Sequence, residues 1–336
     1  MDPFDRRTLG TTSVTVPALG LGTAPLGGWP TAVPADQARA TVTRAWDAGI
    51  RYFDTAPFYG HGNSETNLGA VLAEHDRSEF VLGTKVGRVL EPGPPGPTIF
   101  EGIPDLAPVF DYSVEGVARS LSDSRERLGI DRFDIVLLHD PDDHLGQAAD
   151  TGFRALADLR ERGEVGAIGV GMNWSEPLAA FAQEAAFDCF LLAGRYTLLE
   201  QDALDELLPR VVDRGMSIIA GGVYNSGLLI DPVDGATYNY FPAPDDVLAR
   251  ARAIAEVCDR HGVPLRAAAL QFPLAHPAVA TVVVGARTPD EVDDTLAMAA
   301  VPIPDALWDD LRDRDLLRAD APVPDQHQSS HESGVT

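Results

Sequence analysis

FDIVLLHDPDDHLGQAADTGFRALADLRERGEVGAIGVGMNW (residues 133–174) holds the fold in miniature. FDIVLLH is apolar without alternation, which suits a strand buried on both faces. TGFRALADLRERG spaces its apolar residues three and four apart, as an amphipathic helix does. Gly163 closes that helix, where a left-handed residue ends the turn without a Cβ clash. VGAIGVG then resumes as a second buried strand. From His139 to Val170 is 31 residues, about the length of one strand–helix unit.

The same grammar extends in both directions. VPALGLG (16–22), IRYFD (50–54), EFVLGTK (79–85), FDCFLL (187–192), MSIIAG (216–221) and VATVVVG (279–285) bring the strand runs to eight. Gly49, Gly129 and Gly215 stand before strands as Gly163 does, and Gly262 closes another helix. Asp36, Ser113 and Ser175 suit N-caps or first helical turns. Thr23 to Asp54 and Asp54 to Lys85 are again 31 residues each. Two gaps are longer: Lys85 to His139 is 54, and Ala220 to Val284 is 64. The excess lies in GRVLEPGPPGPTIFEGIPDLAP (87–108) and GGVYNSGLLIDPVDGATYNYFPAP (221–244), both between a strand and its helix. An open doubly wound sheet would carry Gly-x-Gly-x-x-Gly after its first strand. LGLGTAPLGG lacks that fingerprint. The expectation is a (β/α)8 TIM barrel over residues 1–317, with an N-terminal hairpin at 6–16 turning near Gly10. The long loops would lie at the C-terminal face, where such barrels build their sites. Residues 318–336 read as a polar, disordered tail.

Composition narrows the function. Lys and Arg number 26 against 51 Asp and Glu, a net charge of −25, so nucleic acid and anionic membranes are excluded as main partners. Forty-five per cent hydrophobic residues over 336 positions can bury a full core, which excludes global disorder. Cys189 and Cys258 lie in no metal-binding or disulfide pattern. The chain opens without a signal-peptide pattern and lacks a transmembrane stretch, so the expected location is cytoplasmic. Oligomeric state has no signature in the sequence.

The apolar strands end in polar residues. Asp54, Lys85, His139, Asn173, Arg195 and Arg287 all fall at strand ends, and Tyr59 follows Asp54 on a loop. Alone, such an Asp is usually a cap, such a His a structural residue and such a Lys a snorkelling side chain. Together they are harder to set aside. A buried lysine needs a partner, and Asp54 is the natural one. A tyrosine beside that cation would have a lowered pKa. A tunable acid, a cation and an orienting donor are what reversible carbonyl chemistry requires.

IRYFDTAPFYGHGNSE, TK at 84–85 and LLHD at 137–140 make the chain resemble the aldo-keto reductase superfamily, from LGLGTAPLGG to GARTPDEVDDTL. The resemblance implies that Tyr59 is the catalytic acid or base, tuned by Lys85 and Asp54, with His139 orienting the substrate oxygen. It implies a nicotinamide cofactor held without a Rossmann fold; no metal site is expected. Asn173 would bind the carboxamide and Tyr196 would stack on the nicotinamide. GGVYNSGLL would hold the pyrophosphate through Gly222, Val223, Tyr224, Ser226, Gly227 and Leu228. Thr23, Gly285, Arg287 and Asp294 complete the implied cofactor contacts. Arg287 suits the 2′-phosphate of NADP, whereas Asp290, Glu291, Asp293 and Asp294 oppose it; superfamily habit leans to NADP, with NAD open. Within the superfamily the chain is most similar to a branch of aldose and pyridoxal dehydrogenases. That implies oxidation of an aldose C1 hydroxyl, of L-fucose or D-arabinose type, to the lactone. Trp29, Phe58 and Trp174 would line the substrate pocket, Asp140 and His144 being weaker candidates, with loop 87–108 as a lid. Carbonyl reduction, as in natural-product tailoring, and a non-catalytic scaffold like the potassium-channel β-subunits are the alternatives.

Overall fold

The computed structural model describes residues 1–324. An antiparallel hairpin, β1 (Arg6–Thr8) and β2 (Thr15–Pro17), opens the chain. The strands that follow are β3 (Leu19–Gly22), β4 (Tyr52–Asp54), β5 (Val81–Val86), β6 (Arg88–Pro92), β7 (Leu106–Phe110), β8 (Phe133–His139) and β9 (Val165–Met172). After them come β10 (Cys189–Ala193), β11 (Ser217–Gly221), β12 (Thr237–Tyr238), β13 (Phe241–Pro242) and β14 (Val279–Gly285). Eight of them, β3, β4, β5, β8, β9, β10, β11 and β14, close into a parallel barrel in chain order. These are the eight runs expected from sequence, and the barrel is the expected (β/α)8 TIM barrel.

The unbroken apolar runs follow from burial on two sides. On β8, Leu137 packs with Leu9, Tyr52 and Ile219 inside the barrel, while Leu138 packs outward under the helices. Each buried Leu, Ile or Val contributes about 1.5–3 kcal/mol, so a polar residue at either register would be costly. Gly49, Gly129, Gly163 and Gly215 all have positive φ at the expected helix ends. The side chain of Ser113 accepts from Gly116 N and caps its helix, whereas Ser175 lies in a first turn without capping it.

The N-terminal hairpin closes the bottom of the barrel. Gly10 has φ +54°, and a Cβ there would lie 2.6 Å from the carbonyl oxygen of Asp188. A hollow of about 570 Å3 at this end is lined by Arg6, Arg77, Arg132 and Arg160. Their guanidiniums bond to carbonyls, to Thr15 and to Asp134 and Asp188, so they serve the closure.

Neither long insertion is structureless. β6 and β7 pair as a hairpin within 87–110, and β12 and β13 form a smaller one after β11. The first residues of the expected tail are held in place. Arg318 pairs with Asp205 and Asp320, and Ala321 is buried with its carbonyl bonded to Arg312. The rest of the segment expected to be a disordered tail, 325–336, lies outside the described residues. No helix among the described residues is long and apolar enough to cross a membrane.

Candidate active site

Asp54 and His139 end β4 and β8, and Lys85 is the penultimate residue of β5. Parallel pairing brings them to one rim, where they line a cavity of about 450 Å3 with Tyr59. Tyr59 stands on the loop after β4, and backbone contact fixes that loop. A Cβ on Gly27 would lie 2.5 Å from Gly60 N, and one on Gly60, at φ +62°, 2.1 Å from Gly27 O. A buried hydroxyl chain reinforces the junction. Thr23 Oγ1 donates to Asp54 O (2.9 Å), Ser64 Oγ lies 2.7 Å from Thr23 Oγ1, and Thr55 Oγ1 lies 3.1 Å from Ser64 Oγ.

Lys85 Nζ donates to Asp54 Oδ2 at 2.6 Å and to Thr55 O at 2.9 Å, with side chains only 1% and 3% exposed. It lies 4.7 Å from the centre of the Tyr59 ring. Burial disfavours the Lys85 ammonium, but Asp54 and then Tyr59 hold its pKa above the ordinary lysine value. Burial likewise raises the Asp54 carboxyl against the pull of Lys85. Tyr59 departs from the expectation of a lowered pKa. Desolvation outweighs the cation and pushes its phenol up to about 12. Burial, then Arg88 and Lys85, holds the His139 imidazole well below its usual range, so it is neutral at physiological pH. Its Nδ1 is buried without a partner among the described residues, and Tyr112 Oη donates to its carbonyl at 2.6 Å.

The rest of the cavity runs from the tetrad across the ends of β9, β10, β11 and β14. Trp29, Phe58, Asn173, Gly222, Val223, Tyr224, Ser226, Gly227, Gly285 and Arg287 line it, as anticipated from sequence. Five expected residues do not. Tyr196 is buried against Phe272 and His276, its ring centroids 5.3 and 5.5 Å from theirs, so it is a core tyrosine and not a stacking platform. Leu228 is wholly in the core. Thr23 sits beneath the cavity in the hydroxyl chain. Asp294 is paired with Arg266 at 2.5 Å. Trp174 is 48% exposed outside the cavity, under the guanidinium of Arg195.

Several lining residues escaped the sequence reading. Ile99 and Phe100 come from the insertion after β5, and Asn239 and Tyr240 from the tip of the β12–β13 hairpin. Tyr240 meets Trp29 edge-on at 5.5 Å across the cavity mouth. The first insertion is anchored: His61 Nδ1 donates to Leu106 O (2.6 Å), Asn63 Nδ2 to Gly102 O (3.0 Å), and Glu101 N to Gly28 O (2.9 Å). Glu291 also lines the cavity. Its carboxylate accepts from Arg287 N at 2.7 Å, while Thr288 caps the helix by accepting from Glu291 N. No group of side chains among the described residues could hold a metal ion.

A parallel barrel with a buried Asp–Lys–Tyr–His group at its C-terminal rim defines a class of oxidoreductase. The chain matches the Aldo/keto reductase family over residues 18–315, and it belongs to that family. It is 40% identical to pyridoxal 4-dehydrogenase of Microbacterium luteolum over 340 aligned positions, covering 93% of this chain and 98% of that one. It is 43% identical to D-threo-aldose 1-dehydrogenase of a Pseudomonas species over 312 positions, covering 90% and 95%. Among solved structures it resembles the holo form of aldo-keto reductase AKR11C1 from Bacillus halodurans, with a TM-score of 0.75, 26% identity and coverage of 97% and 99%. The protein is therefore an enzyme of the aldo-keto reductase type, a family that uses nicotinamide cofactors and small-molecule substrates.

Proposed function

We propose that the enzyme oxidises the C1 hydroxyl of an aldose to the lactone, with Tyr59 as the base. The observation that carries this reading is the convergence of Tyr59, Lys85, Asp54 and His139 on one cavity. The similarity to D-threo-aldose 1-dehydrogenase supports the substrate class.

The cavity suits a dinucleotide. Gly22, Gly194, Gly221 and Gly222 leave its wall bare of side chains beside the backbone of 222–227, and Arg287 Nε is buried without a partner among the described residues. Asn173, that backbone and Arg287 would hold the cofactor, which when bound accepts the hydride. Tyr59 takes the proton of the C1 hydroxyl, and Lys85 stabilises the phenolate. Asp54 keeps Lys85 charged. Neutral His139 donates a hydrogen bond to the reacting oxygen. Phe58, Phe100 and Trp29 offer apolar faces to a sugar ring and exclude water.

The local charge favours NAD over NADP. Glu291 puts a carboxylate at the helix N-terminus and on Arg287 N, and the Arg287 guanidinium is engaged with Thr31 Oγ1 at 2.5 Å. A 2′-phosphate at this corner would meet the Glu291 carboxylate beside the Arg287 guanidinium. The test is absorbance of the reduced nicotinamide with NAD and NADP against L-fucose, D-arabinose and L-galactose. Aldose oxidation is expected, faster with NAD. Carbonyl reduction without any aldose oxidation would replace this reading with that of a reductase.

A further inference from the structure

Beside the tetrad stands a half-buried carboxylate, its side chain 20% exposed, that the tetrad chemistry leaves idle. Asp140 follows His139, lines the cavity and has φ +42°, a conformation that turns it in from the end of β8. Its backbone N donates to Gly171 O at 2.9 Å, tying the turn to β9. Arg88 Nη2 donates to Asp140 Oδ2 at 2.6 Å. The Arg88 guanidinium lies between two rings, 4.2 Å from the centre of Phe58 and 4.9 Å from that of Phe110. Arg88 does not line the cavity, so it grips the carboxylate from behind. Asp140 Oδ2 is also 3.7 Å from His139 Nε2. Asp140 Oδ1 accepts no hydrogen bond from the described residues.

A carboxylate is costly to bury unless it is paired and hydrogen-bonded. Here one oxygen is anchored by an arginine, and the other, on a residue that lines the cavity, accepts no hydrogen bond among the described residues. That oxygen can only accept when the group is ionised, so its natural partner is a hydroxyl. We infer that Asp140, held by Arg88, is a specificity-determining residue that accepts a hydrogen bond from the substrate hydroxyl next to the reacting carbon. The inference rests on the aldose-oxidation reading. His139 and Asp140 are neighbours whose polar atoms lie 3.7 Å apart, so they address neighbouring oxygens of one substrate. The same negative charge disfavours substrates bearing a carboxylate or phosphate there. The class selected is neutral and polyhydroxylated.

The test compares L-fucose and D-arabinose with their 2-deoxy forms, in wild type and Asp140→Asn. Wild type should prefer the parent sugars by at least about tenfold in kcat/KM, the low end for a hydrogen bond to a charged group. Asp140→Asn should erase that preference. It should leave NADH binding, read by fluorescence titration, and the reduction of benzaldehyde, which has no hydroxyl, within about twofold, as expected for the loss of a contact those ligands do not make. Aldose oxidation with the same parent preference in Asp140→Asn would overturn the inference and leave the proposed function standing. Benzaldehyde reduction falling in parallel with aldose oxidation would assign Asp140 to the support of His139 instead. If the variant does not fold, the wild type alone decides, because indifference to the 2-deoxy change refutes the contact. No aldose oxidation by wild type would remove both readings together.

Discussion

Replacing Asp54 by Asn separates what the buried ion pair does for stability from what it does for chemistry. The substitution keeps the shape and an acceptor for Lys85 Nζ but removes the charge that holds the ammonium in place at 2.6 Å. Thr55 O, at 2.9 Å, is then its remaining strong partner. Breaking a buried pair by removing one member costs about 3–5 kcal/mol. Because Asn preserves one hydrogen bond, the low end applies, about 3 kcal/mol. At about 2 °C per kcal/mol for a chain of this size, the melting temperature should fall by about 6 °C. Burial opposes the Lys85 ammonium, and without Asp54 nothing of equal strength resists it. Lys85 then loses its proton, and Tyr59 loses the cation that would stabilise its phenolate. Aldose oxidation should drop about 100-fold or more, within the usual range for acid–base catalysis. The double variant Asp54→Asn/Lys85→Met removes both charges, and buried pairs replaced together cost little, so it should regain most of the lost melting temperature. It should regain no activity. Differential scanning calorimetry and steady-state rates on the three proteins measure both quantities. A double variant as unstable as Asp54→Asn, or an active Asp54→Asn, would refute the coupling.

Other consequences follow from the same geometry. Tyr59→Phe should bind NADH as wild type does in a fluorescence titration yet lose at least about tenfold in turnover, and unchanged turnover would remove Tyr59 from the chemistry. Because burial pushes the Tyr59 phenol up to about 12, the phenolate fraction rises with pH. Aldose oxidation should therefore climb by up to about tenfold per pH unit through the alkaline range, while carbonyl reduction, which uses the phenol, stays flat. His139 is neutral there and adds no ionisation of its own; a flat oxidation profile from pH 7 to 10 would contradict the assignment of Tyr59 as base. Glu291→Gln should shift the NADP/NAD ratio of kcat/KM toward NADP by about tenfold, since it removes a charge facing the 2′-phosphate position. No shift would mean that the two groups do not meet.

The parts of the molecule legible in the sequence are those that local pattern dictates. Double-sided burial writes itself as unbroken apolar runs, so all eight barrel strands are legible in the sequence. Asp54, Lys85 and His139 could be placed as well, because a polar residue ending such a run must face the barrel mouth. Tyr196 shows where that logic stops. An aromatic just beyond a strand end can turn into the mouth or under the helices, and only the packing of Phe272 and His276 decides for the latter. Trp174 fails for a similar reason, since its ring stacks under the guanidinium of Arg195 from the next strand end. Arg88 was least legible. It begins a run rich in Pro and Gly that reads as irregular, and its role depends on the register Arg88↔Phe110 at the open end of the hairpin. That pairing sets Phe110 beside the guanidinium, Phe58 arrives from the catalytic loop, and Asp140 comes from the end of β8. Three segments distant in sequence thus fix one carboxylate. The insertion after β5 contributes to the site twice, through Ile99 and Phe100 in its wall and through Arg88 behind it. Substrate selection is accordingly expected to change with this hairpin while the tetrad stays as it is, because no tetrad side chain hydrogen-bonds to it among the described residues.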